Sequence, residues 1–101
     1  LKERPDAIFT VNDPIAVGCM LELRKRGLRV PQDMAVAGFS ESPIGRIMEL
    51  TSVSQPTFEM GRVAAHRLLR QMTDATTPIE TIVLDGKLNV RGSTLPAKKK
   101  G

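Results

Sequence analysis

Apolar positions fall along this chain in two rhythms. Ala7–Val11 (AIFTV) and Met34–Gly38 (MAVAG) are short, nearly continuous apolar runs with β-branched residues, the length and composition of buried strands. Between them Ile15, Ala16, Val17, Cys19, Met20, Leu21 and Leu23 recur at helical spacing, which predicts a helix from Pro14 to about Arg26. Asp13 supplies an N-cap acceptor, and Pro14 takes the first helical position, where a missing N–H costs nothing. Arg24, Lys25 and Arg26 followed by Gly27 suit the dipole and the left-handed cap at the far end. A strand, a helix and a strand in that order imply parallel neighbours joined by a right-handed crossover. Ligands of open parallel α/β sheets bind beyond the carboxyl ends of the strands. Here those ends carry Asn12 and Ser40.

The first helix is apolar over most of its girth, so it needs two surfaces to bury against. One is its own sheet and the other is a second subunit. Leu28–Asp33 is a connector, and Phe39–Leu50 is a loop holding a short helical turn around Ile44, Ile47 and Met48. Leu50–Ser54 (LTSVS) alternates as a strand or an extended crossing segment, closed by Gln55-Pro56. Phe58, Gly61, Ala65, Leu68, Leu69 and Met72 mark a second amphipathic helix over about Thr57–Met72, with His66 off the stripe and solvated. Thr73–Pro78 reads as a loop. Glu80–Leu84 and Lys87–Arg91 alternate around Asp85-Gly86, a pair suited to a two-residue hairpin turn. Leu1–Arg4 reads as the end of a helix, and Leu95–Gly101 as a disordered tail.

At 101 residues the chain is one small domain at most. Its formal charge of +4 owes three units to Lys98–Lys100, so the body is nearly neutral and direct DNA binding by the tail would be weak and salt-dependent. A lone cysteine, Cys19, excludes an internal disulfide and fits a reducing compartment. No apolar run is long enough for a transmembrane helix, and no signal-peptide layout opens the chain. The absence of an initial Met suggests a fragment whose beginning is missing. One histidine and one cysteine on different helices, with no paired carboxylates or metal-spaced ligands, give catalysis no support. No cofactor is expected, and the scattered glycines form no phosphate loop.

The order of pieces is specific: PDAIFTVNDPIAVGCMLELRKRGLRVPQDMAVAGF, then LTSVSQPTFEMGRVAAHRLL, then IVLDGKLNVRGST. It resembles the C-terminal part of lac-repressor-type (LacI/GalR family) bacterial transcription regulators over nearly all of residues 4–94. The resemblance implies a partial periplasmic-binding-protein-like α/β fold, Rossmann-like, with a parallel sheet flanked by helices. Residues 1–49 and 79–95 would belong to a C-terminal effector-binding subdomain. Residues 50–78 would hold the crossing segment and a helix of the N-terminal subdomain, and 96–101 the tail. The N-terminal helix-turn-helix domain, which would bind operator DNA, is absent here. The implied partners are a small-molecule effector, a sugar or sugar acid, and a second copy in a homodimer. No membrane is involved, and the compartment is the cytoplasm.

By resemblance Asn12 contacts the effector through its amide; the competing reading is a turn residue bonded to its own backbone. Ser40 stands where many sugar-binding members carry aspartate, and a serine makes only one or two neutral bonds. That departs from the pattern for a plain neutral sugar and leaves room for a sugar acid or another anion. Phe39 and Glu41 flank it, and Glu41 can substitute from one residue further on. Asp13 is a cap rather than a ligand. Ser54 and Gln55 fall at the hinge, and Val17, Met20, Leu21, Ile44, Ile47 and Met48 match dimer-interface positions, where burial in the subunit's own core competes. Arg91 reads as a structural anchor. The alternatives are a periplasmic sugar-binding protein of a transport system, exported and usually monomeric, and a flavodoxin-like enzyme fragment, which would need a phosphate loop.

Overall fold

The computed structural model describes residues 3–95. Within it the chain forms β1 (Ala7–Phe9), α1 (Asp13–Lys25), β2 (Ala35–Phe39), α2 (Pro43–Ile47), β3 (Thr51–Ser54), α3 (Thr57–Thr73) and β4 (Lys87–Asn89). These elements fall into two compact units, Leu1–Ser54 with Lys87–Gly101, and Gln55–Gly86. The fold is mixed α/β, a partial periplasmic-binding-protein-like arrangement.

The first unit is a four-stranded sheet in the order β1-β2-β3-β4. β1, β2 and β3 run parallel, with Phe9 opposite Ala37 and Ala37 opposite Thr51. β4 runs antiparallel to β3. Burial alternates along β2, with Val36 and Gly38 buried and Ala35, Ala37 and Phe39 half-buried, so the sheet has a covered and an open face. The covered face packs on α1, and Ala16, Met20, Val36 and Leu50 make a fully buried core edged by Val17, Cys19, Leu23, Val30 and Met48. On the open face Phe9 and Leu88 are largely exposed.

Both helices of this unit end in the same way. Gly27, at φ 78°, follows the last turn of α1, and Leu28 N–H donates back to Leu23 O at 2.9 Å. Glu49, at φ 57°, holds the same place after α2, with Leu50 N–H donating to Gly45 O at 2.9 Å. Each is the left-handed closure that normally selects glycine, and α2 makes it with a glutamate.

Away from the carboxyl ends of the strands, Ser93 is wedged between β2 and β3. Its hydroxyl donates to Val36 O at 2.6 Å and accepts from Thr51 N–H at 2.8 Å. Its carbonyl accepts from Val36 N–H at 3.1 Å, and its N–H donates to Glu49 O at 3.0 Å. One late residue thus completes the pairing of two earlier strands.

In the second unit α3 buries no residue, and Phe58, Leu68, Leu69 and Met72 are exposed. Met60, Val63 and Ala64 face Ile82 and Leu84 across a shallow groove. Arg67 fastens the returning chain, pairing with Glu80 at 3.0 Å and donating to Pro78 O at 2.6 Å.

The hairpin expected around Asp85-Gly86 does not form. Residues 78–86 make no strand, and Lys87, Leu88 and Asn89 pair instead with Ser54, Val53 and Ser52. A third strand's open edge outcompetes a two-stranded ribbon, which is marginal in water alone. Glu3 and Arg4 are not helical; Leu1 and Lys2, and the tail expected over 96–101, lie outside the described residues.

Candidate functional site

The turn from β1 into α1 is built by polar contacts at three consecutive steps. Thr10 Oγ1 donates to Asn12 O at 2.7 Å, closing the turn. Asn12, in extended backbone at φ −155°, accepts from Ile15 N–H through Oδ1 at 3.0 Å. Asn12 is therefore the N-cap, and the sequence expectation that gave this role to Asp13 is corrected. The capping bond commits Oδ1, so the amide N–H groups are what the side chain can still offer a ligand.

Asp13 is fully buried and accepts three hydrogen bonds from elsewhere in the fold. Ser42 N–H and Oγ donate to Oδ2 at 2.8 and 3.3 Å, and Ser52 Oγ donates to Oδ1 at 2.6 Å. Two buried acceptor oxygens shared by three donors satisfy the burial cost of the carboxylate. Ser42 in turn caps α2, accepting from Gly45 N–H at 3.2 Å.

Past the end of β2, Ser40 is exposed and sits at φ 63°. This left-handed conformation is costly for a residue with a Cβ, and such strain concentrates at functional positions. Glu41 follows, and its N–H donates to Val53 O at 3.0 Å, extending the ladder to β3. Its carboxylate is enclosed: Arg91 Nη2 and Asn89 Nδ2 donate to Oε1, the latter at 3.0 Å, and Arg46 Nε approaches Oε2 at 3.3 Å. The Arg91 hydrogen bond holds the Glu41 carboxyl below its ordinary range, with burial opposing and the charges of Arg91 and Arg46 adding to the effect. Arg91 also donates to Leu50 O at 2.9 Å, so it braces β3. On β3, Ser54 Oγ accepts from Asn89 Nδ2 at 3.2 Å.

The paired register ends with Phe9 opposite Ala37 and Phe39 opposite Val53. Asn12 lies in the turn past β1, Ser40 directly follows β2, and Ser54 is the last residue of β3, so all three fall at or beyond the carboxyl ends of the parallel strands. Phe39 is half-buried just before them. Glu41, expected as a substitute ligand, has its carboxylate occupied by two arginines and an asparagine. Gln55 opens the second unit. Of the expected interface residues, Leu21, Ile44 and Ile47 are exposed, with Ile47 at 76%, and Val17 and Met48 are half-buried. Met20 is corrected: it lies wholly inside the core and offers no surface to a partner.

Sequence reasoning missed Asp13 as a buried acceptor, and with it Ser42, Ser52 and Asn89. No local signal marks them, because their partners are distant along the chain. Chemically, the site offers neutral donors and acceptors from Asn12 and Ser40 beside an ion-pair cluster of one carboxylate and two guanidinium groups. Among the described residues no group of His, Cys, Asp and Glu is placed to hold a metal ion.

Residues 1–94 match the periplasmic binding protein-like domain family. The chain is 40% identical over 90 residues to the HTH-type transcriptional regulator GntR of Escherichia coli K12, covering 87% of this chain and 27% of the relative. Among solved structures, the transcriptional regulator CelR–cellobiose complex superposes with a TM-score of 0.79 at 39% identity, covering 87% of this chain and 28% of the other. A LacI family transcriptional regulator from Enterococcus faecium with bound ribose gives a TM-score of 0.78 at 27% identity, with 96% of this chain and 37% of the other covered. The chain thus spans roughly a quarter to a third of the proteins it matches. A family match across nearly all of the sequence, carried on a mostly parallel sheet, makes the chain a member of the periplasmic binding protein-like domain family, and its relatives include LacI family transcriptional regulators.

Proposed function

We propose that this chain is part of the effector-sensing portion of a LacI-type transcriptional regulator, and that a sugar or sugar acid binds at the carboxyl ends of β1, β2 and β3. The observation that carries the reading is that Asn12, Ser40 and Ser54 fall at or just beyond the carboxyl ends of three parallel strands, with Ser40 in a left-handed backbone conformation. The relatives support it: one solved neighbour holds cellobiose and another ribose. Residues 1–49 and 79–95 belong to the C-terminal effector-binding subdomain, and residues 50–78 carry the crossing segment and a helix of the N-terminal subdomain, with Ser54 and Gln55 at the hinge.

The regulator acts in the cytoplasm as a homodimer and reaches operator DNA through an N-terminal domain outside this sequence. Leu21, Ile44 and Ile47 form the exposed part of the subunit interface, with Val17 and Met48 beneath them. The effector binds the two arrangements of the dimer with different affinity and so shifts the population that binds DNA.

The experiment is Asn12→Asp in the full-length protein, titrated calorimetrically with D-ribose, cellobiose and D-gluconate. Aspartate keeps the cap acceptor and removes the amide donors. The melting temperature stays unchanged, while affinity for whichever saccharide the wild type binds falls by about tenfold or more. Equal affinity in the two proteins removes Asn12 from the site.

A further inference from the structure

Asp13 lies next to a proposed ligand contact yet is wholly buried, and no part of effector chemistry accounts for it. Its carboxylate joins three segments that are otherwise far apart in sequence. They are the start of α1, the loop Ser40–Ser42 after β2, and β3 through Ser52. The space around it is cut to fit. A Cβ added at Gly38 would stand 2.3 Å from Asp13 Oδ1, and one added at Gly45 would stand 2.2 Å from Oδ2. Both glycines thus give the carboxylate room, one on β2 and one on α2, and neither could carry any side chain while Asp13 stays in place.

We infer that Asp13 is the positioning residue of this site. Without touching ligand, it locks the Ser40–Ser42 loop to β3 and to the Asn12 turn, so that Asn12 and Ser40 keep their places at the carboxyl ends of the strands. The inference rests on the effector-site reading given above. A carboxylate is chemically suited to this role, because in its ionised form it accepts from a backbone N–H and two hydroxyls at once, and charge-assisted bonds of this kind are short and stiff. Ser42 passes the constraint onward, since the hydroxyl that donates to Asp13 also receives Gly45 N–H at the start of α2. Ser40 is two residues from this anchor on one side and one residue from Phe39, the end of β2, on the other. Its left-handed backbone is thereby fixed from both ends.

The test compares wild type, Asp13→Asn and Asp13→Ala in the full-length protein. Amide hydrogen exchange is read without ligand, and affinity is read with D-ribose, cellobiose and D-gluconate. Asp13→Ala raises exchange at Ser42 by about tenfold or more while Ala35–Ala37 in β2 change little, because opening is local. It weakens whichever saccharide the wild type binds by a similar factor. Asp13→Asn still accepts from Ser42 N–H and can donate to the Ser52 hydroxyl, so it restores both readings to within about threefold. Unchanged exchange at Ser42 in Asp13→Ala overturns the inference, and so does a rise no greater than that in Ala35–Ala37. If Asp13→Ala does not fold, Ser52→Ala replaces it, and exchange at Ser42 must again rise ahead of Ala35–Ala37; no selective rise overturns the inference. A wild type that binds none of the three saccharides counts against the effector reading, and the exchange comparison still decides the role of Asp13.

Discussion

The close approach of Gly45 to Asp13 sets up a mutational cycle with a definite sign. In Gly45→Ala the new methyl stands 2.2 Å from Asp13 Oδ2 and 3.0 Å from its Cγ. The carboxylate must retreat by roughly 1 Å to reach an ordinary separation. It cannot do so and keep the 2.8 Å bond from Ser42 N–H. Overpacking costs about 1–3 kcal/mol, and losing a hydrogen bond to a charged group costs about 1.5–3 kcal/mol. The gain in helix propensity returns about 1 kcal/mol. Gly45→Ala is therefore destabilising by about 1.5–5 kcal/mol. Asp13→Ala leaves Ser42 N–H and the buried Ser52 hydroxyl without an acceptor, at about 1–3 kcal/mol each. In the double variant the methyl at position 45 enters the space vacated by the carboxylate, so the two losses do not add. The double variant is more stable than their sum by about 1–3 kcal/mol. Urea denaturation of the four proteins measures this through the midpoints at constant slope. Additivity within about 0.5 kcal/mol would refute the reasoning, because two groups so close cannot act independently.

Three further outcomes follow from particular residues. Glu49→Gly relieves the left-handed backbone after α2 and stabilises the protein by about 0.5–1 kcal/mol in thermal denaturation, with saccharide affinity unchanged; a loss of stability would show that the glutamate side chain outweighs the strain. Glu41, whose carboxyl is held low chiefly by its bond to Arg91, contributes stability that is complete above the ordinary glutamate pKa of about 4.3. That contribution disappears as pH falls through the lower folded value, so Glu41→Gln should show a shallower acid limb than wild type in urea midpoints between about pH 7 and pH 3; parallel limbs would discount the Arg91 contact. Ile47→Glu, at a side chain 76% exposed, shifts the full-length protein toward monomer by sedimentation without altering its circular dichroism, and an undiminished dimer would move the interface elsewhere.

The strand–helix–strand unit is legible from sequence because its signals are local. Pro14, the cationic last turn and Gly27 bracket α1 within a residue of its observed limits, and the apolar runs at Ala7 and Met34 find β1 and β2. The errors fall where the deciding partner is remote. Asn12 and Asp13 are equally good caps by type; only Ser42 and Ser52, 29 and 39 residues away, draw Asp13 inward and leave the cap to Asn12. Met20 and Leu21 are both apolar positions of one helix, yet Met20 meets Val36 and Leu50 in the core while Leu21 remains exposed. Asp85-Gly86 is a sound turn signal, overruled by the vacant edge of β3. At the site, Asn12 bonds its own backbone turn as a cap, the reading the sequence set beside an effector contact. The ion pairs that occupy Glu41 involve Arg91 and Arg46, and no spacing rule links those residues to it.

The wedge at Ser93 has a consequence for how the molecule is made. Val36 obtains both of its bonds to Ser93 across 57 positions of chain, and Thr51 waits on the same residue across 42. During synthesis β2 and β3 leave the ribosome long before their spacer does, and at the usual pace of roughly five to twenty residues per second that interval lasts seconds. Throughout it the Val36 N–H and C=O and the Thr51 N–H stand open beside an apolar sheet face. Closure is thus postponed to the final stretch of the described chain, and truncation just short of Ser93 should leave a nascent product that chaperones hold and that full-length translation releases.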